Sequence, residues 1–471
     1  MYDTVHPGEP APGTGEPGAP PGAVRVGLPP GPRAPAALQS LAYLLAGDAF
    51  LDRCQRRFGE VFTLRIVGFG TIVALGNPQD VRTVFTGGPD ELDAGSGNRP
   101  LEILLGSRSL LVLDGDEHLR QRRLLLPPFH GERLVLYRDL IDELTEDALD
   151  RWPLGEPFAL LPEMQQLTLE IILRVVFGIE STERHAELRD RIRALVRYGA
   201  SDVIGVRYAL RRFGTLRFWR AFGRAHASAD ELIYDEIARR RAHPTGGDDV
   251  LSLLLAARHE DGTPMEDREL RDQLVTLLVA GHETTATGLA WAFDLLTHHP
   301  EALVRLTEEA VAGASDRYAN AVARETLRLR PPVGVMARRT RRPFVVGGYE
   351  LPPGVRVVPG IIAVNQSPAA YDDPEAFRPE RFLDRAPDTY SWIPFGGGIR
   401  RCIGASLAQL EMRRVLHVVL RRARLGAADP EPDRPVRRAI VYPPRGGARV
   451  VLEARAPRAA RSASPRAPAA A

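Results

Sequence analysis

The chain has 471 residues, 62 basic against 60 acidic, for a formal charge of +2. That balance excludes bulk binding to nucleic acid, and the length alone allows about three domains of ~150 residues each. Two cysteines, Cys54 and Cys402, exclude a disulfide framework and fit a reducing compartment.

Residues 1–33 are rich in Pro and Gly with few apolar side chains, and disorder is expected there. They carry neither the basic n-region nor the apolar run of a signal peptide. The longest apolar stretches, such as Leu274–Gly281, fall well short of the ~20 residues a membrane span requires. A cytoplasmic protein without a membrane span is expected.

Val61–Arg65 and Thr71–Leu75 are β-branched runs parted by Gly68 and Gly70, the pattern of a hairpin. In Gly115–Arg123, His118 and Arg122 fall on one helix face, an arrangement that also occurs as plain surface decoration. Helical periodicity then dominates from Leu134 to Leu329. Within it, the pattern Asp272–Thr297 is interrupted by Ala280-Gly281-His282-Glu283-Thr284-Thr285. A mid-helix Gly costs ~1 kcal/mol, and Thr hydroxyls that bond back to carbonyls help bend a helix, so a local dent is expected. Glu283 offers a proton and Thr284 a hydroxyl to relay it; a solvated polar patch is the plainer alternative. A zinc-protease motif is excluded, because its second His would fall where Ala286 stands. Glu325 and Arg328 lie on one face of a helix that Pro331-Pro332 ends. Strand-like pieces return at Phe344–Leu351 and Arg356–Pro359, and the Ala/Arg/Pro tail, residues 456–471, is expected to be disordered.

The most specific segment is Phe395-Gly396-Gly397-Gly398-Ile399-Arg400-Arg401-Cys402-Ile403-Gly404, followed by an amphipathic helix over roughly Ala405–Arg422. No second Cys or His stands at zinc-ligand spacing from Cys402. No Gly-Lys-Ser follows the glycines, and the chain holds no lysine, which excludes a Walker-type phosphate loop. A lone Cys beside a Gly-rich turn is either a small buried hydrophobe or a single thiolate ligand for a metal with an open face. A helix N-terminus favours the thiolate, and a thiolate on haem iron pushes electron density that favours O–O cleavage.

The pattern Phe-x-x-Gly-x-Arg-x-Cys-x-Gly resembles the cysteine-ligand loop of the cytochrome P450 superfamily. The resemblance extends to the oxygen-activating helix (Ala280–Thr285), to Glu325-x-x-Arg328 and to Pro379-Glu380-Arg381-Phe382. It implies one large, mainly α fold with small β-sheets (α+β) enclosing a haem over residues 34–455, in place of three domains. The cofactor implied is haem b, iron protoporphyrin IX, with Cys402 as the metal ligand and Phe395 and Gly281 against the haem. His118, Arg122, Arg338 and Arg400 match propionate contacts, although neighbouring Arg339 leaves the register of Arg338 open. Glu325, Arg328 and Arg381 are implied to hold the ligand loop.

Glu283 and Thr284 match the acid–alcohol pair that favours dioxygen plus two electrons over peroxide. The activity implied is a monooxygenase that inserts one atom of dioxygen into a small apolar organic substrate, by hydroxylation or epoxidation. A thiolate-haem peroxygenase and a non-oxygenating haem sensor are the alternatives. Electrons are expected from a ferredoxin or flavodoxin with its NAD(P)H-dependent reductase, and a monomer is the expected state. Arg120, Arg123, Arg401, Arg413 and Arg414 are either its docking patch or a solvated basic face. Segments 86–113, about 185–222, and 332–337 are expected to line the substrate pocket.

Overall fold

The computed structural model describes residues 24–131, 133–178, 183–199, 217–244, 246–438 and 440–458. Its centre is a 31-residue helix, Asp267–Thr297, that opens in a capping box in which Glu266 and Glu269 answer each other's backbone amides. Leu274, Leu278, Leu289 and Phe293 along it are fully buried. A helix apolar on nearly every face must be sheathed on all sides. Here the sheath includes Leu160–Phe177, Ala405–Arg422 and Arg317–Leu329, with Arg133–Arg151 packed against the outer side of the first two. Arg414 pairs with Asp142, and Arg421 and Arg422 with Glu146, so ion pairs fix how the helix Ala405–Arg422 sits on Arg133–Arg151.

The central helix begins at Asp267, ahead of the Asp272 that periodicity suggests, because its first turn is polar and capped. The helix after the cysteine runs Ala405–Arg422, as its spacing predicts.

Beside the bundle lies a five-stranded sheet. Val61–Ile66 and Gly70–Leu75 form the expected hairpin, turning at Gly68 and Gly70 with φ of 83° and 75°. Arg356–Pro359 runs parallel to the second strand and antiparallel to Arg338–Thr340, which places Arg338 opposite Val357. A smaller sheet turns tightly between Phe344–Val346 and Tyr349–Leu351 at Gly347 and Gly348, where φ of 60° and 77° requires residues without a Cβ. A third sheet joins Ala423–Ala427, Arg449–Arg455 and Pro157–Ala159.

The expected disorder over residues 1–33 needs correction at its end. Arg25–Val26 pairs in parallel with Tyr349–Glu350, and the Thr63 hydroxyl and amide donate to the carbonyls of Pro29 and Pro30. Proline carbonyls remain good acceptors even though the ring removes a donor, so this segment docks on a sheet edge. Residues 1–23 lie outside the described residues. In the tail, the Ala456 amide donates to Arg422 and Arg458 pairs with Asp147, while residues 459–471 lie outside the described residues. Among the described residues, no helix is long and apolar enough to cross a membrane.

Candidate active site

Cys402 stands between a short 3-10 turn, Gly398–Arg400, and the helix Ala405–Arg422. Its amide closes the loop on the Phe395 carbonyl at 2.9 Å. Gly396 and Gly398 adopt φ of 65° and 62°. A Cβ on Gly397 or Gly398 would run into Phe85 of the helix Pro78–Thr86. Those glycines therefore serve the packing of the loop against Phe85. Room beside the sulfur comes from Gly404, whose missing Cβ would face Cys402 Sγ at 4.0 Å. The ring of Phe395 stacks edge-on against Trp392, with centroids 5.8 Å apart.

The thiol of Cys402 is accessible. Yet burial pushes its pKa up, against the pull of the Gly404 amide and the Arg122 and Arg401 guanidiniums. A group that is both accessible and enclosed lines a hollow inside the protein. The thiolate that the helix terminus was expected to favour is thus opposed by desolvation, and a metal bound to the sulfur would reverse the balance.

Four basic side chains gather in the same region. His118 and Arg122 come from the helix Gly115–Leu125, Arg338 from its strand, and Arg400 from the cysteine loop. His118 is buried, its Nδ1 has no hydrogen-bond partner, and its pKa falls to about 3 through burial first and then the charges of Arg400 and Arg122. Arg338 keeps accessible surface, but burial and the charge of Arg400 lower its pKa to about 10. Arg122 is likewise lowered by burial. Arg400 pairs with Asp114 at 2.7 Å and donates to the Leu113 carbonyl at 2.6 Å.

Buried cations that lack counter-charge are costly. Among the described residues no carboxylate lies within ion-pair distance of Arg338 or Arg122. The excess positive charge, the unbonded imidazole nitrogen and the inward-facing thiol fit a ligand that combines carboxylates with a thiophilic metal. The residues present fit haem.

Asp114 is the member of this cluster that sequence reasoning missed. Its carboxylate accepts from the amides of Ala94, Gly95 and Ser96 as well as from Arg400. An Asp just before a helix reads as an N-cap, but Asp114 makes no cap bond to its own helix.

The central helix passes through Ala280–Thr285 without the expected interruption. Thr284 and Thr285 donate to the carbonyls of Ala280 and Gly281 at 2.8 and 3.1 Å, so their hydroxyls are absorbed within the helix. A Cβ on Gly281 would meet Ile172 Cδ1 at 3.1 Å. The glycine therefore admits close packing of the helix Leu160–Phe177, and its bare side faces that helix. Burial lapses instead at Ala280, which is exposed. Glu283 accepts from Gln165 Nε2 with both oxygens, each at 2.9 Å. His282 is buried and its Nδ1 lies 3.2 Å from the Leu278 carbonyl, as suits a packing residue.

Glu325, Arg328 and Arg381 are brought together. Arg328 donates to Glu325 at 2.7 and 2.9 Å, and both side chains are 0% exposed. Arg381 and the Arg378 amide add bonds of 3.0 and 2.8 Å to the same carboxylate. The second edge of Arg328 holds the carbonyls of Asn365, Pro374 and Ala376. Asn365 then receives the Ile393 amide at 2.9 Å, which carries the network to the cysteine loop.

Of the five arginines expected on a docking face, three are spoken for: Arg123 by Glu260, Arg413 by Asp316 and Arg414 by Asp142. Arg120 and Arg401 remain exposed. Of the expected pocket segments, residues 200–216 lie outside the described residues.

This chain belongs to the cytochrome P450 family, whose model, described as Cytochrome P450, matches residues 29–448. It is 45% identical over 434 residues to a Mycobacterium tuberculosis protein provisionally named cytochrome P450 137, covering 90% of this chain and 91% of the relative. A Mycobacterium bovis protein provisionally named cytochrome P450 135B1 is 43% identical over 440 residues, covering 92% and 93%. Among solved structures, cyanobacterial CYP120A1 with retinoic acid bound aligns with a TM-score of 0.80 and 26% identity, over 92% of this chain and all of that one. The heme domain of cytochrome P450DA, at 24% identity and a TM-score of 0.79 over 92% and 98%, shares the fold. The fold is thus the helix-rich α+β fold of that family. The cofactor is haem b, and the general activity is that of a haem-thiolate monooxygenase.

Proposed function

We propose that this protein inserts one atom of dioxygen into an elongated apolar organic substrate, with electrons supplied by a separate ferredoxin or flavodoxin. The observation that carries the site assignment is the inward-facing Cys402 thiol next to a cluster of buried bases short of counter-charge. Cys402 would supply the sulfur that holds the haem iron in this reading. Arg338, Arg122, Arg400 and His118 receive the propionates, and Asp114 steadies Arg400. Haem, when bound, supplies the reductive activation of dioxygen.

The protein's own work is to hold, exclude and deliver. Glu283 carries a proton into the centre of the molecule, and the Thr284 hydroxyl, 2.8 Å from the Ala280 carbonyl, is the group that passes it on. Gln165 holds the Glu283 carboxylate and the Ala280 carbonyl holds the Thr284 hydroxyl, so both groups keep fixed places on the central helix. An apolar substrate is proposed because Leu110, Leu113, Val333 and Met336, in the segments expected to line the pocket, are apolar. The cyanobacterial relative bound to retinoic acid holds a ligand of that character. Arg120 and Arg401 are the exposed charges that a negatively charged electron donor meets first.

Turnover under ¹⁸O₂ tests this reading, after a screen of fatty acids, terpenoids and retinoids by their effect on the haem spectrum. One labelled oxygen in the product is expected. A product oxygen without label, and so drawn from water, or binding confined to charged polar ligands, contradicts it.

A further inference from the structure

Glu283 is held by an unusual partner for a half-buried acid. The side-chain amide of Gln165 reaches both carboxylate oxygens at 2.9 Å, so one neutral donor spans the whole group. Gln165 rides on the helix Leu160–Phe177, which lies along the central helix. One turn further on, the Thr168 hydroxyl donates to the His282 carbonyl at 2.9 Å and pins the two helices together at this level. Gln165 is half-buried and its neighbour Gln166 is exposed, so the amide stands between Glu283 and solvent.

The charges around Glu283 are few. His282 Nε2 lies 3.6 Å from it, and the charge of Arg193 on the helix Glu183–Gly199 reaches that imidazole. Burial lowers the His282 pKa, which leaves the ring neutral at physiological pH. Among the described residues no guanidinium pairs with Glu283.

This matters for a group that must lose and regain a proton in each cycle. A guanidinium stabilises the carboxylate and resists its reprotonation. An amide N–H donates to a carboxyl oxygen in either protonation state and, being neutral, fixes the rotamer while favouring the carboxylate less than a guanidinium does. We propose that Gln165 is a positioning residue that holds Glu283 in its relay geometry while leaving it free to cycle between acid and carboxylate. The proton leaves Glu283 toward Thr284 and is replaced from solvent on the Gln165 side, and Gln165 keeps its own protons throughout. The proposal rests on the reading of Glu283 as the proton source.

The test compares Gln165→Leu, Gln165→Arg and Glu283→Gln, each first checked for an unchanged carbon monoxide spectrum as evidence of an intact fold. With dodecanoic acid as the probe and a surrogate ferredoxin and reductase, peroxide released per NADPH is expected to rise in Gln165→Leu. Rate under coupled turnover is expected to fall on the order of tenfold. Gln165→Arg, which sets a fixed charge against the carboxylate, should slow coupled turnover while the carbon monoxide spectrum stays unchanged. A readout independent of turnover is the side-chain amide of ¹⁵N-glutamine-labelled protein. One resonance, absent in Gln165→Leu, should titrate with pH and stop titrating in Glu283→Gln. If Gln165→Leu keeps normal coupling and no amide titrates while Glu283→Gln is impaired, the positioning role is wrong and the proton source stands. If Glu283→Gln itself is unimpaired, both fall.

Discussion

Arg338 reaches the interior from its strand with no carboxylate in ion-pair reach among the described residues, and the unbonded His118 Nδ1 lies in its field. A charged hydrogen bond to an anionic ligand is worth ~1.5–3 kcal/mol. Arg338→Ala should therefore weaken haem retention by roughly 10- to 100-fold, while Arg338→Lys, which keeps the charge and loses the fork, should fall between. The check is the ratio of haem to protein absorbance after gel filtration against a haem-accepting apoprotein, with circular dichroism as the fold control. Retention equal to wild type in Arg338→Ala would remove Arg338 from the site. Cys402, His118, Arg122 and Arg400 were legible at this scale because each sits in a local pattern. Asp114 and Gln165 were not. Their partners lie 286 and 118 positions away in sequence, and no local periodicity encodes a contact that only the packing of whole helices creates.

At the scale of elements, the buried Glu325 carboxylate ties three segments together: its own helix, the Arg378–Arg381 turn and, through Arg328, the carbonyls of 365–376. Removing one partner of a buried pair leaves an uncompensated charge and costs ~3–5 kcal/mol. Glu325→Ala is accordingly expected to lower the denaturation midpoint sharply and to purify with little haem. Asp384→Ala, which breaks the exposed pair with Arg317 at 3.2 Å, should cost well under ~1 kcal/mol. Equal midpoints for the two variants would contradict the structural role. The hairpin around Gly68 and the helix Ala405–Arg422 were readable because turn glycines and apolar spacing agree there. The helix Ala36–Phe58 was hidden by its kink at Gly47, where φ is 48° and ψ −121°, which breaks its pattern in two. The helix stays continuous through Gly281, where the glycine relieves crowding against Ile172, while Thr284 and Thr285 make the expected back-bonds to carbonyls.

At the scale of the whole molecule, a four-helix bundle and a five-stranded sheet meet around an interior that the Cys402 thiol faces from the cysteine loop. Length alone suggested three domains; the central helix, buried over most of its 31 residues, instead gives the bundle one continuous core. That arrangement makes a single thiolate at the centre of the protein the central claim. The carbon monoxide difference spectrum of the reduced protein, recorded beside Cys402→Ala, tests it most directly. A strongly red-shifted Soret band that disappears in the variant is predicted. A histidine-type band that persists unchanged without Cys402, or no haem in a folded wild-type protein, would contradict it.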